Sequence, residues 1–180
     1  DMTHEGARSV IGPFLSLTGA SASTIGFVSG LGELCGYSLR LISGPLADRS
    51  GKYWTLVIVG YTLQVLAVPL LALVPENGWV VASALIIMER SAKALKKPAK
   101  NSLVSFASSE VGIGKGFAYL EVLDQLGAFL GPVIIFLMSY FAKSDSEIGT
   151  YHKAFAFLII PALITIALVV FSWRKYPHPE

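Results

Sequence analysis

The chain has 180 residues, 53% of them hydrophobic and only 14% charged, with 14 basic and 12 acidic side chains and a formal net charge of +2. A soluble domain carries roughly a quarter charged residues, so this balance, with a mean hydropathy of +0.62, argues against an ordinary soluble protein. The single cysteine, Cys35, excludes an intrachain disulfide and argues against a thiolate metal site. The basic residues lie between apolar runs, where membrane topology explains them better than nucleic-acid binding does.

No secretory signal is visible: the chain opens on Asp1-Met2-Thr3-His4-Glu5, which reads as a start inside something longer. The first helix is expected over residues 1–17, short for a full crossing at about 1.5 Å per residue. The small polar run Thr18 to Ser23 splits it from a second helix at 24–46. The third helix, 53–74, and the sixth, 154–173, carry no charge between Tyr53 and Pro75 or between Ala154 and Trp173, and each matches a hydrocarbon core about 30 Å thick. The fourth is expected over 79–97, stopping at Pro98, which disfavours helix before it. The fifth is expected over 117–141. The fold class is therefore an all-α membrane protein of six transmembrane helices.

Loop charge sets the orientation. Arg49, Lys52, Lys96, Lys97, Lys100, Lys115, Arg174 and Lys175 fall on one side, and only Lys143 and Lys153 on the other. The positive-inside rule then puts the 2–3 and 4–5 loops and both ends of the segment in the cytoplasm.

Ionisable groups inside spans cost roughly 2.5–3.5 kcal/mol each on insertion scales, so they face a bundle interior or a water-filled path. Asp1, Glu5 and Arg8 share one face of helix 1, and Glu33, Tyr37 and Arg40 one face of helix 2. Glu89, Arg90 and Lys93 cluster near the expected cytoplasmic end of helix 4, while Glu121, Asp124 and Gln125 form a stripe on helix 5. Asp1, Glu5, Arg8, Glu33, Arg90, Glu121, Asp124 and Gln125 are the candidate substrate or proton pathway. Arg40, Lys93, Lys96 and Lys97 read as snorkelling ends, and His4 as a bystander. Tyr37 and Tyr119 are read as packing aromatics, with stacking on a substrate as the sharper alternative. Pairs of glycines four apart, Gly26 and Gly30, Gly32 and Gly36, Gly127 and Gly131, mark expected close helix contacts.

Between helices 2 and 3 stands Gly44-Pro45-Leu46-Ala47-Asp48-Arg49-Ser50-Gly51-Lys52. It resembles the G-x-L-A-D-R-x-G-R/K signature of the major facilitator superfamily, with Tyr53 where a further basic residue is common. Glu89 to Asn101 is similar to a helix 4 motif of one branch of that family, with Ala92 and Asn101 in place of glycine and aspartate. Leu123 to Pro132 is similar to its helix 5 pattern ending in glycine-proline. The resemblance implies the N-terminal six-helix half of a secondary transporter working by alternating access. It implies a gating loop at 44–52 carrying Gly44, Asp48, Arg49, Gly51 and Lys52. Asp48 ends helix 2, where the helix dipole disfavours an anion, so its implied partner lies in a C-terminal half.

The expected partners are the lipid bilayer of a prokaryotic cytoplasmic membrane, a small solute, protons and that second half, with no nucleic acid and no cofactor. No nucleophile–base pair, metal set or phosphate loop suggests an enzyme. A non-transporting scaffold or sensor that keeps the fold is the alternative.

Overall fold

A chain this apolar must satisfy its backbone polar groups internally, and among the described residues all regular structure is helical. The computed structural model describes residues 2–141 and 144–178. Its helices are α1 (Met2–Leu17), α2 (Ala22–Ser50), α3 (Tyr53–Leu70), α4 (Trp79–Ala107), α5 (Ile113–Phe141), α6 (Glu147–Phe157) and α7 (Ile159–Lys175), with a 3-10 turn, Leu71–Leu73, closing α3. α4 packs against both α2 and α3, α1 lies against α5, and α3 lies against α7.

Three stretches are long and apolar enough to cross a membrane by themselves: Tyr53–Leu73, Ile113–Phe141 and Glu147–Lys175. Six were expected. α1 has only 16 residues, while glycine, serine and charge dilute α2 and charge dilutes α4, although each of these is 29 residues long.

The expected end of helix 4 at Lys97 is overturned, because α4 runs through Pro98 to Ala107. Proline has no N–H for the carbonyl four residues back, which here belongs to Ala94. A hydroxyl replaces it: Ser43 Oγ on α2 donates to the Ala94 carbonyl over 3.3 Å, buried between the helices. With the helix this long, Glu89 sits about 15 Å along the axis from Trp79, near mid-helix and not at the cytoplasmic end. Lys96, Lys97 and Lys100 are likewise helical and not loop charges. The expected orientation then rests on Lys52 in the α2–α3 turn and on Arg49, Lys115, Arg174 and Lys175 in the end turns of their helices; Lys143 lies outside the described residues.

Helix 2 also outruns its expected end and absorbs most of the 44–52 segment. Ser21 caps its start, its Oγ accepting the Thr24 N–H at 3.2 Å. Gly51 stops it with φ +63°, a left-handed conformation open to glycine, and its N–H closes onto the Ala47 carbonyl. The turn itself is only Gly51-Lys52.

The expected sixth helix becomes two pieces. It starts earlier, at Glu147, with Ser146 accepting the Gly149 N–H at 3.1 Å. It breaks at Leu158, beside the Phe157 carbonyl that Pro161 cannot serve.

Of the glycine pairs, an added Cβ at Gly26, Gly30 or Gly36 would meet nothing within 4 Å. A four-residue spacing fixes a face but not its direction: Gly26 and Gly30 are exposed, and Gly36 borders a hollow beside Arg90. The close crossing is α1 on α5, where a Cβ at Gly131 would collide with the Met2 carbonyl and the Gly6 amide. The main core gathers beside it, around Phe14, Leu15, Ile86, Ile135 and Phe155, with the Phe14 and Phe155 rings edge to face at 4.9 Å.

Candidate functional site

Glu89, Lys93, Lys96 and Lys100 recur at helical spacing and form one stripe on α4. The α1–α5 glycine contact brings Glu5 of α1 and Asp124 of α5 onto the same side. Together with Lys97, Glu121, Gln125 and Ala128, these groups (Glu89 excepted) line a cleft of about 320 Å³ between α1, α4 and α5.

Behind the cleft, Glu89 is 4% exposed and is the hub of a buried network. Its Oε1 accepts from Gln64 Nε2 at 2.9 Å and lies 2.7 Å from His4 Nδ1. An ionised Glu89 requires the proton on that nitrogen. His4 Nε2 faces Glu5 Oε1 at 3.5 Å, and the same oxygen lies 3.6 Å from Lys93 Nζ. A continuous polar path thus runs Gln64–Glu89–His4–Glu5–Lys93, from the bundle interior into the cleft. Further along, Lys100 Nζ donates to Asp124 Oδ2 at 3.3 Å, and Gln125 Nε2 donates to Glu121 Oε1 at 2.7 Å.

Arg90 faces α2. Its Nη1 donates to the Ser29 carbonyl at 2.8 Å and lies 3.4 Å from Glu33 Oε1, and its side chain covers Gly32, where a Cβ would meet Arg90 Cδ at 2.8 Å. Arg8, Glu33 and Arg90 share a second, smaller hollow with Tyr37 and Arg40. The pathway residues therefore fall into two groups. Glu5, Glu121, Asp124 and Gln125 meet in the cleft, while Arg8, Glu33 and Arg90 meet on the α2 side; Asp1 lies outside the described residues.

Two of the sequence readings are corrected. His4 is a buried hydrogen-bonding member of the network and not a bystander. Lys96 does not snorkel: it is 4% exposed, with its ammonium 3.4 Å from the centre of the Tyr61 ring. Its stem is held by close approach, since a Cβ on Gly60 of α3 would sit 2.5 Å from Lys96 Cβ. Gln64 and Tyr61 escaped the sequence reading, although Gln64 is the one amide in the charge-free stretch of α3. Tyr37 and Tyr119 are 62% and 72% exposed.

The residues expected to gate lie apart from both groups. Asp48 is exposed in the last turn of α2, with Arg49 beside it and Lys52 in the turn. It is not wholly without a local neighbour, as expected from sequence: Tyr53 Oη donates to Asp48 Oδ1, but at 3.5 Å, too long for a strong bond. Gly44 is helical and faces the Pro98 ring at 4.0 Å, so its role is helix contact and not turning.

A helical bundle that is apolar outside and charged along an internal cleft is the form of a membrane transport protein. The family model of the Major Facilitator Superfamily matches residues 2–180, and the chain belongs to that family. It is therefore an integral membrane protein of a transporter family. Uncharacterized proteins of Mycobacterium bovis and of two Mycobacterium tuberculosis strains are each 43% identical to it over all 180 residues. The chain spans 42% of the length of these relatives. No solved structure matches.

Proposed function

We propose that this chain is the N-terminal half of a secondary active transporter, six membrane crossings with both ends cytoplasmic, moving a small solute across a prokaryotic inner membrane. The α6–α7 rod counts as one crossing. The observation that carries this reading is the cleft. Charged groups that would cost several kcal/mol each in lipid are instead gathered and paired along one internal surface. A second half packed over that surface would enclose the cleft, and rocking of one half against the other would expose it alternately to each side.

Proton coupling is assigned to the path from Glu89 through His4 to Glu5, where two carboxylates share an imidazole between them. At the cytoplasmic end, Asp48 is exposed at the negative end of the α2 dipole with only a long contact to Tyr53. A cation or a helix N-terminus on the second half would satisfy it in one state and release it in the other.

The complete protein in proteoliposomes loaded with a pH-sensitive dye tests this. Solute addition is expected to drive proton movement, and Asp48→Ala is expected to insert normally and cripple turnover. Undiminished flux in that variant removes the latch. If Glu5→Gln and Asp124→Asn lower expression while no solute ever moves protons, the scaffold alternative replaces transport.

A further inference from the structure

The ion pairs in the cleft do not reach every lysine. Among the described residues, four lysines line it, Lys93, Lys96, Lys97 and Lys100, together with three carboxylates, Glu5, Glu121 and Asp124, and Glu89 lies behind them as a fourth. Each nearby acid already has a partner. Glu5 lies against Lys93 and His4, Asp124 takes Lys100, Glu121 takes the Gln125 amide, and Glu89 behind them takes His4 and Gln64. Among the described residues, no carboxylate comes within ion-pair distance of Lys96 or Lys97.

Lys96 is the sharper case. It is more than nine-tenths buried and lines the cleft, and its Nζ lies against the face of Tyr61. An aromatic face attracts a cation but supplies no counter-charge. Gly60, with no side chain of its own, lets α3 come close against the base of the Lys96 stem. The site thus holds a buried lysine amine with no carboxylate within ion-pair distance among the described residues, and a second lysine at the rim.

We propose that the cleft binds a small oxyanion, a carboxylate or phosphate group that pairs with Lys96 and is steered in by Lys97. If the transport reading holds, this group belongs to the transported solute. The binding claim stands without it. Charge-assisted bonds from an ammonium to such oxygens are short and strong where water is excluded. A cationic solute would meet four lysines, and a neutral one would leave Lys96 without a counter-ion.

The test uses the complete protein in phosphatidylcholine nanodiscs, reading ligand-dependent shifts of the unfolding midpoint. The probes are succinate, benzoate and inorganic phosphate, with succinamide and benzamide as neutral shape controls. At least one anion is expected to stabilise the protein saturably while the amides do not, and which anion binds separates carboxylate from phosphate. Lys96→Met, which keeps the stem, is expected to weaken that binding on the order of 10–100-fold, the range for a hydrogen bond to a charged group. Lys97→Gln at the exposed rim is expected to weaken it by about threefold and puts no buried packing at risk. Lys115→Gln, at the start of α5 and outside the cleft, is expected to leave it unchanged.

Equal stabilisation by the amides, no stabilisation by any anion, or equal loss in Lys115→Gln overturns the proposal. So does Lys96-dependent stabilisation by phosphatidylglycerol that none of the soluble anions competes away, which would assign the cleft to a lipid headgroup. Anion binding without flux leaves the site standing and removes only the transport reading.

Discussion

The α4 stripe from Glu89 to Lys100 and the α2–α3 turn around Asp48 are both dense in charge, and the bundle gives them opposite surroundings. Glu89 lies at 4% exposure between two hydrogen-bonding partners, and Glu5 and Asp124 each meet a lysine across a helix boundary. Asp48 is open, with one long contact to Tyr53. The interior set is held by what this chain supplies, apart from Lys96, which has no carboxylate within ion-pair distance among the described residues. The turn is folded by this chain but not neutralised by it. A charge whose partners are already in place contributes to stability. A charge left open by its own fold is free to change partners, which is the property the proposed latch would use.

The difference can be broken most sharply at Glu89. Glu89→Ala leaves a buried imidazole and amide without their acceptor and is expected to cost about 3–5 kcal/mol, read as a lowered unfolding midpoint of the complete protein in detergent. A midpoint equal to wild type would show that the network is not needed for the fold. Next is Gly131→Ala, which forces a methyl group into the α1 backbone and should cost about 1–3 kcal/mol. Gly30→Ala, facing open space, should cost nothing in the same assay, and equal effects would disprove the assigned crossing.

Ser43→Ala removes the hydroxyl that serves the Ala94 carbonyl above Pro98 and should cost about 1 kcal/mol. Restoring an N–H by Pro98→Ala in that background should recover the loss. At the far end of the scale, Asp48→Ala should leave the unfolding midpoint unmoved while it impairs turnover. A large stability loss there would place Asp48 with the interior set and erase the contrast.

Much of the fold was legible in the residues. Charge-free stretches marked α3 and α7, small polar residues marked the turn after α1, and the i, i+4, i+7 spacings marked faces that do carry pairs. Glu5 and Asp124 were singled out because charge is costly in lipid, and both line the cleft. Pro98 misled, because the disruption by proline is a local rule and the remedy, Ser43, lies on another helix. Lys96 misled for a similar reason. A lysine near an expected helix end snorkels by default, and only the longer helix and the approach of Gly60 turn it inward. His4 could not be placed from sequence, since its partner is 85 residues away.

The sequence alone determined the membrane class, the helical character, the family and the residues whose charge demanded an explanation. Those follow from composition and period, which are properties of a chain in order. Only the tertiary structure decided which charges meet, which glycines touch, and which lysine is buried away from the ion pairs. Hydrogen bonds and ion pairs are effective only over a few ångströms, and those ångströms are set by helices packing side by side.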